Sequence, residues 1–291
     1  MRVAIAGAGG LLGGAVSRAL ITRGTEVVRL VRRAPTKADE RQWFPEVGRL
    51  PKPGLHDVDA VINFCGAGIA DRPWTPGRKR ELFSSRLGPT RTLAAALDGD
   101  GRCQLLLNAS AIGIYGDRGD EILDEASSRG TGFLADLVDD WEAAARAASV
   151  PVSLLRTGHV LTASGGYLGK QKPLVLAGMG GGVGPGDQYQ SWISVDDYVA
   201  AILFLVDRHL AGPFDLTAPN PVRNRELFAA YARRLGRPVI ASLPTFPLRF
   251  VLGSDAVEEL LLASQRVLPT RLLEAGFSFT HPELDAALAA L

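Results

Sequence analysis

Five glycines lie among the eight residues that follow a short apolar run near the start of the chain, in the sequence VAIAGAGGLLGG (3–14). Gly7, Gly10 and Gly13 form a G-x-x-G-x-x-G pattern between a predicted strand and a predicted helix. At a site that holds a pyrophosphate, the first glycine permits the tight turn, the second lets the backbone approach the phosphates, and the third allows the helix to pack closely on the strand. Free N–H groups and the helix dipole then stabilise the anion. Glycine-rich turns also serve packing alone, but the position between strand and helix favours a cofactor site.

The end of the second predicted strand indicates which dinucleotide this site would take. Arg32 and Arg33 follow the strand in VVRLVRRAPTK (27–37), where a protein that binds the free adenine ribose of NAD places Asp or Glu. Guanidinium groups suit the 2′-phosphate of NADP. We therefore predict NADP as the cofactor, with NADPH preferred over NADH. The alternative is that the two arginines form a solvated strand end.

Apolar runs rich in β-branched residues alternate with helical patterns through the first half of the chain. This alternation predicts βαβ units that build a parallel sheet buried on both faces, a doubly wound α/β fold of the Rossmann type. The predicted strands cover residues 2–6, 26–31, 60–64, 103–109 and 152–156, and the predicted helices cover residues 11–22, 76–97 and 133–148.

The composition changes near Ser164. Residues 165–186 are rich in glycine and proline, which predicts a short helix followed by a loop that faces a ligand. A further helix is predicted over residues 195–207, and the remainder contains a short strand and mostly helical segments. We predict an NADP-binding domain formed by residues 1–164 and 194–210, and a smaller mixed α/β substrate-binding lobe formed by residues 165–193 and 211–291.

The overall composition excludes several classes of protein. With 32 basic and 31 acidic residues the formal net charge is +1, and no block of like charge suggests binding to nucleic acid or to a membrane surface. The two cysteines are not in a zinc-binding or paired-thiol spacing, and the four histidines are scattered, so no metal is predicted. No leader precedes the first strand and no apolar run approaches ~20 residues. We expect a cytoplasmic monomer or homodimer that acts on a small molecule.

The motifs together resemble the extended short-chain dehydrogenase/reductase superfamily, and within it the atypical YfcH-like proteins of the epimerase family. The resemblance implies a Rossmann domain with a small C-terminal substrate lobe. The matching stretches span nearly the whole chain: GAGGLLG (7–13), DAVINFCGAGIADRPWTPGRKRELFSSRLGPT (59–90), NASAIGIYGDRGDEILDE (108–125), WEAAA (141–145), LLRTGHVL (154–161), GGVGPGDQYQSWISVDD (181–197), GPFDLTAPNPVRNRELF (212–228) and LPTRLLEAGFSF (268–279).

The resemblance also implies which residues contact the cofactor at the carboxyl ends of the strands. For Asn63 the alternative is an amide that satisfies backbone groups at its strand end. The implied set comprises Leu11 and Leu12 beside the glycine turn, Asn63, Cys65 and Gly66 along the adenosine and pyrophosphate, Arg86 where many relatives keep an asparagine, Ala109 and Ser110 on the nicotinamide side, and Thr157, Gly158 and His159 flanking the nicotinamide ring.

Working members of the superfamily use a Tyr-x-x-x-Lys pair, in which the lysine lowers the tyrosine pKa so that the phenol can transfer a proton. No lysine of this chain has a tyrosine four positions before it. The corresponding positions fall at Phe133 and Leu137, and Ala111 stands where a companion serine is usual. The remaining candidates for proton transfer are Tyr115, for which ordinary packing is the favoured alternative, and His159, which could equally be a loop imidazole bonded to backbone.

Four residues are candidates for substrate binding: Tyr115, Lys170, Gln188 and Trp192. An amide and a broad apolar ring suit a small ligand lying against the nicotinamide. Core filling is the alternative for Trp192, and solvation of an exposed ammonium is the alternative for Lys170. The sequence therefore predicts an NADP-binding, oxidoreductase-like protein with an unidentified small-molecule substrate. The second hypothesis is a non-catalytic NADP-sensing or regulatory protein, because some cyanobacterial and chloroplast relatives are associated with division.

Overall fold

The computed structural model describes residues 1–97 and 101–291. The strands are β1 (Arg2–Ala6), β2 (Glu26–Val31), β3 (Glu40–Gln42), β4 (Ala60–Asn63), β5 (Leu105–Ala111), β6 (Ile122–Leu123), β7 (Val152–Thr157), β8 (His159–Leu161), β9 (Tyr189–Gln190), β10 (Trp192–Ser194), β11 (Gly212–Leu216), β12 (Val222–Arg223) and β13 (Arg266–Val267). The α-helices are α1 (Leu11–Thr22), α2 (Pro76–Ala96), α3 (Phe133–Arg146), α4 (Gly166–Leu176), α5 (Val195–Arg208), α6 (Asn224–Arg234), α7 (Thr245–Leu252), α8 (Ser254–Val257), α9 (Thr270–Glu274) and α10 (Leu284–Ala289).

Seven strands form one parallel sheet in the order β11-β7-β5-β4-β1-β2-β3. Helices α1 and α5 cover one face, where Val16 and Ile202 pack with alternate residues of β1. Helix α2 covers the other face, where Leu93 packs against Ala4 and Ala6. Apolar side chains on both faces explain why the strands read as continuous apolar runs rather than as alternating ones. The predicted Rossmann-type fold is confirmed.

The two edge strands of the sheet differ from the prediction. Strand β11 lies at the edge of the sheet beside β7, so residues 212–216 belong to the sheet rather than to the smaller lobe. Strand β3 extends the opposite edge by pairing Arg29 with Glu40, and it was not predicted. Three partly buried residues carry no periodic pattern, so only pairing with β2 defines this strand.

The second core lies in the C-terminal lobe. Trp192 and Phe228 are fully buried there, together with residues of α4, α6 and α10. The lobe meets the sheet domain at the carboxyl edge of the sheet. Lys79 at the start of α2 pairs with Asp255 of α8 at 2.5 Å. The Glu259 carboxylate accepts hydrogen bonds from the first two amides of α3, at 2.9 and 2.7 Å.

Over residues 1–97 and 101–291, no helix combines the length and the apolar character that crossing a membrane requires. Within the same ranges, no group of three or more His, Cys, Asp and Glu side chains is arranged to hold a metal ion.

Candidate functional site

The glycine turn between β1 and α1 has a geometry that only glycine permits at two positions. Gly7 has a φ of 82°, and a Cβ there would lie 2.9 Å from the carbonyl carbon of Phe64. A Cβ on Gly13 would lie 2.3 Å from the carbonyl oxygen of Gly7. The turn is closed by the Gly10 amide, which donates to the same oxygen at 3.0 Å. The first and third glycines therefore have the steric roles expected of a tight turn and a close helix contact.

The N-terminus of α1 suits a phosphate group. Gly10 precedes the helix and has no side chain to accept a hydrogen bond from the first turn, and that turn contains no acidic residue. The first amides of a helix have no partner within the helix, and the helix dipole makes this end partly positive. An anionic pyrophosphate supplies both the acceptors and the charge that this end requires. The residues present therefore fit a dinucleotide.

A cleft of about 1540 Å³ opens beside this turn, along the end of β2, the loop after β4 and the outer face of α2. It brings together six of the residues predicted to bind the cofactor: Gly7, Gly10, Arg32, Arg33, Cys65 and Gly66. Leu11 lies instead beside a separate cavity of about 630 Å³ between α1 and α5. Leu12 packs against the main core.

Both arginines at the end of β2 line the cleft, and each faces a carboxylate. The Arg33 guanidinium binds both carboxylate oxygens of Glu40, at 2.8 and 2.6 Å. Arg32 has one contact of 3.4 Å with Glu46. Sequence reasoning missed these two acids, because Glu40 lies in the unpredicted strand β3 and Glu46 in a short 3-10 turn (Pro45–Val47).

The loop after β4 is held by two residues that do not line the cleft. Asn63 is fully buried; its side-chain oxygen accepts from the Cys65 amide at 3.0 Å and its nitrogen donates to Asn108 at 2.7 Å. Asn63 therefore satisfies a backbone group at its strand end, which was the alternative to contact with the cofactor. Arg86 donates to the Ala67 carbonyl at 3.1 Å and stacks on Trp141 at 5.2 Å. Burial lowers the pKa of Arg86 to about 10, helped by the nearby charge of Arg78.

Cys65 is half-buried in the cleft wall. Burial raises the pKa of its thiol to about 12, so the sulfur is protonated at neutral pH and offers an apolar surface. Gly66 beside it is exposed and lies against the Arg86 side chain. A Cβ added to Gly66 would lie 3.2 Å from the guanidinium carbon of Arg86. The pair provides an uncharged part of the cleft wall.

The polar residues at the ends of β5 and β7 belong to a buried network. Ser110 donates to Glu142 at 2.7 Å, and Glu142 also accepts from Arg156 at 2.8 Å. Arg156 in turn donates to the Tyr115 hydroxyl at 2.9 Å, and that hydroxyl donates to Asp215 at 2.8 Å. Ala109, between Asn108 and Ser110, is half-buried and packs against an apolar cluster formed by residues of α2 and α3.

Tyr115 is completely buried within this network. Burial raises the pKa of its phenol far above the ordinary value. A phenol with this pKa releases no proton at neutral pH, and its hydroxyl already has partners on both sides. The geometry is that of the packing residue, which was the alternative to proton transfer and to substrate contact.

His159 follows Thr157 and Gly158 after β7, and its ring stacks on Tyr167 with centroids 4.2 Å apart. Gly158 is needed there because a Cβ would lie 2.5 Å from the Ser191 carbonyl oxygen, and Thr157 bonds back to the Leu155 carbonyl at 3.0 Å. Burial lowers the pKa of His159 to about 4, so the expectation that it titrates near neutrality is wrong. The imidazole is neutral in the folded protein at pH 7.

The buried imidazole predicts a loss of stability in acid. The folded pKa of His159 lies below the unfolded value of about 6.5, so its contribution is complete above that pH and is lost as the pH falls toward 4. We expect His159→Gln to remove roughly 2 kcal/mol of the pH dependence of unfolding between pH 6.5 and 4. Urea titrations across this range measure it. His209→Asn, at an exposed histidine, is the control and should leave the slope unchanged; an equal change in both variants would contradict the assignment.

The structure separates the three other substrate candidates. Lys170 of α4 reaches across to the loop after β4, where its ammonium donates to the Ala70 carbonyl at 2.9 Å and to Asp71 at 2.6 Å. Gln188 is buried, and its amide donates to the Leu261 carbonyl at 2.7 Å. Trp192 fills the core of the C-terminal lobe and has no exposed surface, which was its alternative role.

The start of α3 carries an aromatic cluster where the superfamily keeps its tyrosine. Phe133 packs edge-on against Trp74 at 4.8 Å and Phe83 at 5.7 Å. The Lys79 ammonium lies 4.9 Å from the centre of the Phe133 ring. Leu137, one turn later, is buried in the same cluster. Phe133, Phe83 and Lys79 line the cleft and were not predicted as site residues, since their roles depend on α2 and α3 lying side by side.

The glycine turn, the uncapped start of α1 and the cleft at the carboxyl edge of a parallel sheet are the features of a Rossmann-type nucleotide-binding fold. Comparison with known sequences specifies the family. Residues 3–215 match the profile of the NAD dependent epimerase/dehydratase family, and residues 243–291 match a domain of unknown function, DUF1731. The chain belongs to the NAD dependent epimerase/dehydratase family, which confirms the family resemblance.

The individual relatives cover the whole chain. Epimerase family protein Mb2239 of Mycobacterium bovis is 45% identical over 290 residues, 98% of this chain and 96% of the relative. Epimerase family protein SDR39U1 homolog, chloroplastic, of Arabidopsis thaliana is 33% identical over 307 residues, 100% of this chain and 86% of the relative. The crystal structure of human epimerase family protein SDR39U1 (isoform2) with NADPH superposes with a TM-score of 0.91 at 30% identity, covering 100% of this chain and 98% of that chain.

Proposed function

We propose that this protein binds NADP in the large cleft, takes NADPH in preference to NADH, and acts as an oxidoreductase on a small molecule. The observation that carries the proposal is the cleft itself, which joins the glycine turn to Arg32 and Arg33 at the end of β2. The family match and the NADPH in the human SDR39U1 structure support an NAD(P)-dependent, oxidoreductase-like role.

Each part of the cleft has a role toward the cofactor in this proposal. The amides at the start of α1 bind the pyrophosphate, the two arginines bind the 2′-phosphate, and Cys65 with Gly66 contacts the adenosine. The nicotinamide end points toward Ala109, Ser110 and the turn at Thr157 to His159, at the carboxyl ends of β5 and β7. When bound, NADPH supplies a hydride, while the chain supplies orientation and exclusion of water.

The two arginines provide the first test. Charge-assisted hydrogen bonds are worth roughly 1.5 to 3 kcal/mol when well shielded and less at exposed side chains such as Arg32 and Arg33. Replacing both arginines with alanine should therefore weaken NADPH binding by about 10- to 100-fold, a total of roughly 1.4 to 2.7 kcal/mol. NADH binding should change by less than about threefold, because NADH has no phosphate at this position. Calorimetric titration of wild type and variant with both coenzymes measures this.

The matched control for this test is Arg237→Ala, which removes an exposed arginine from the C-terminal lobe. It should leave both affinities unchanged. Equal binding of NADPH and NADH by the wild-type protein would overturn the proposed preference, and an unchanged preference in the double variant would place the 2′-phosphate elsewhere.

A second function, NADP sensing without catalysis, is favoured by one specific observation. Phe133 and Leu137 stand on α3 where the superfamily has its proton-transferring pair, and both pack in an apolar cluster. Tyr115 is locked in a buried network and His159 is neutral. Oxidation of NADPH with a panel of carbonyl compounds separates the two functions. Turnover that survives His159→Gln supports an enzyme that takes its proton from substrate or water, whereas saturable NADPH binding without any turnover supports the sensor.

The proposal also includes the setting of the protein. Both cysteines are free thiols, and the near-zero net charge offers no field that would attract a polyanion. These properties support a reduced cytoplasmic protein with a small-molecule ligand, as a monomer or homodimer.

A further inference from the structure

Two carboxylates stand beside the two arginines at the end of β2. Glu40 and Glu46 line the cleft together with Arg32 and Arg33. A site built only to attract a phosphate would have no need for two acids beside its arginines. The two ion pairs, however, are held very differently, and the difference indicates what each acid does.

Arg33 is firmly fixed by Glu40. Two parallel hydrogen bonds of 2.8 and 2.6 Å join the groups, and only 5% of the Glu40 side chain is exposed. The carboxylate also accepts from the Thr36 amide at 2.8 Å. The bond from Arg33, together with that from Thr36, lowers the pKa of Glu40 to about 2. Glu40 therefore stays ionised and holds the Arg33 guanidinium in one orientation, with its remaining N–H groups available to a ligand.

Arg32 is held weakly. Its side chain is 74% exposed, and its single contact with Glu46 is 3.4 Å long, near the limit of a hydrogen bond. Glu46 is itself 62% exposed and belongs to a separate 3-10 turn. Exposed ion pairs of this kind contribute little to the stability of the fold, so the arginine can readily exchange one partner for another. A phosphate at the ribose 2′ position would carry more charge and more acceptor oxygens than Glu46.

We propose that Glu46 is a specificity-determining residue that competes with the 2′-phosphate for Arg32. This inference rests on the proposed NADP function and adds a mechanism to it: Arg32 leaves Glu46 for the phosphate, while Glu40 keeps Arg33 in position. The competition and the repulsion between carboxylate and phosphate both weaken NADPH binding. NADH, which lacks the phosphate, does not experience either. Glu46 thus limits the degree to which the site distinguishes the two coenzymes.

Glu46→Gln tests the inference. We expect the variant to bind NADPH, and the fragment adenosine 2′,5′-bisphosphate, about 3- to 10-fold more tightly than the wild type, with NADH binding changed less than twofold. Calorimetric titration with the three compounds gives these affinities without any assay of turnover. Melting temperatures of all variants show that each is folded.

Two controls separate a local effect from a general one. Glu81→Gln removes the same charge from the same cleft, at a carboxylate that pairs with Arg78 at 2.7 Å rather than with Arg32; it should change NADPH binding less than Glu46→Gln does. In an Arg32→Ala background, Glu46→Gln should raise the affinity for the phosphate-bearing ligands less than it does in the wild type, because only the repulsion between carboxylate and phosphate is then relieved; an equal gain in both backgrounds would contradict the competition for Arg32.

The outcomes distinguish this inference from the proposed function. If the wild-type protein binds NADPH and NADH equally, the proposed preference fails before any variant is made. If the wild type prefers NADPH but Glu46→Gln leaves the ratio unchanged, or if Glu81→Gln raises it equally, the role of Glu46 is overturned and the NADP proposal stands.

Discussion

Replacing Gly13 with alanine is expected to lower the free energy of unfolding by about 3 to 5 kcal/mol and to abolish binding of the nicotinamide coenzyme. The new Cβ would lie 2.3 Å from the Gly7 carbonyl oxygen and 2.9 Å from its carbonyl carbon. Both atoms are backbone, and Gly7 itself is confined between this helix and Phe64, so no flexible side chain can move aside. Helix α1 would have to shift away from the turn, and the amides proposed to bind the pyrophosphate would shift with it.

Gly14→Ala is the matched control, one residue further along the same helix. Its Cβ would meet the Ala8 carbonyl oxygen and Arg18 at 3.5 Å, which is ordinary contact. Alanine in a helix is more stable than glycine by roughly 0.5 to 1 kcal/mol, so this variant should be as stable as the wild type or slightly more stable. Urea unfolding followed by circular dichroism measures both. A Gly13→Ala protein as stable as Gly14→Ala would show that close packing of helix on turn does not depend on glycine.

The second large effect is expected from Glu142→Gln, which we predict to lower the free energy of unfolding by about 3 to 5 kcal/mol. Only 1% of the Glu142 side chain is exposed, and it pairs with Arg156, itself 9% exposed, at 2.8 Å. Burial would raise the pKa of Glu142, but the hydrogen bond and charge of Arg156 outweigh it, so the net pKa is lowered and the carboxylate is ionised at neutral pH. The amide cannot neutralise the guanidinium, which would then be a buried charge without its counter-ion.

Asp215→Asn is the contrasting variant in the same network. Burial and the nearby Glu125 raise the pKa of Asp215 well above its ordinary value, whereas the pKa of Glu142 is lowered. An acid with a raised folded pKa makes its full contribution to stability below its unfolded pKa near 4, and loses that contribution as the pH rises from there through the folded pKa. Asparagine preserves the shape without the charge, so we expect the free energy of unfolding at pH 7 to change by no more than about 1 kcal/mol, and to shift in favour of the variant as the pH rises above the unfolded pKa.

Urea titrations at pH 5, 7 and 8 compare the two variants. Their difference is the critical result, because both replace a buried carboxylate with its amide. Equal losses at pH 7 would contradict the opposite pKa shifts of Glu142 and Asp215.

The sequence by itself determined the features that depend on neighbouring residues. The turn at Gly7 and Gly13 follows from local sterics, and the alternation of apolar runs with helical patterns was sufficient to predict the parallel sheet and its helices. The glycine turn lies at the end of β1, and Arg32 with Arg33 lies at the end of β2, so adjacent parallel strands bring them to one edge of the sheet. For the same reason the cleft wall at Cys65 and Gly66, after β4, could be predicted.

The tertiary structure alone decided which polar groups are buried and which charges meet. Tyr115 and Asp215 are 100 residues apart, and their hydrogen bond exists only because β11 joins the far edge of the sheet. The pKa of His159 depends on the ring of Tyr167 and on burial that its own neighbours do not reveal. Glu40 faces Arg33 because a three-residue strand pairs with β2. Desolvation and Coulomb energy depend on distances in space, and these are fixed only when segments remote in the chain pack together.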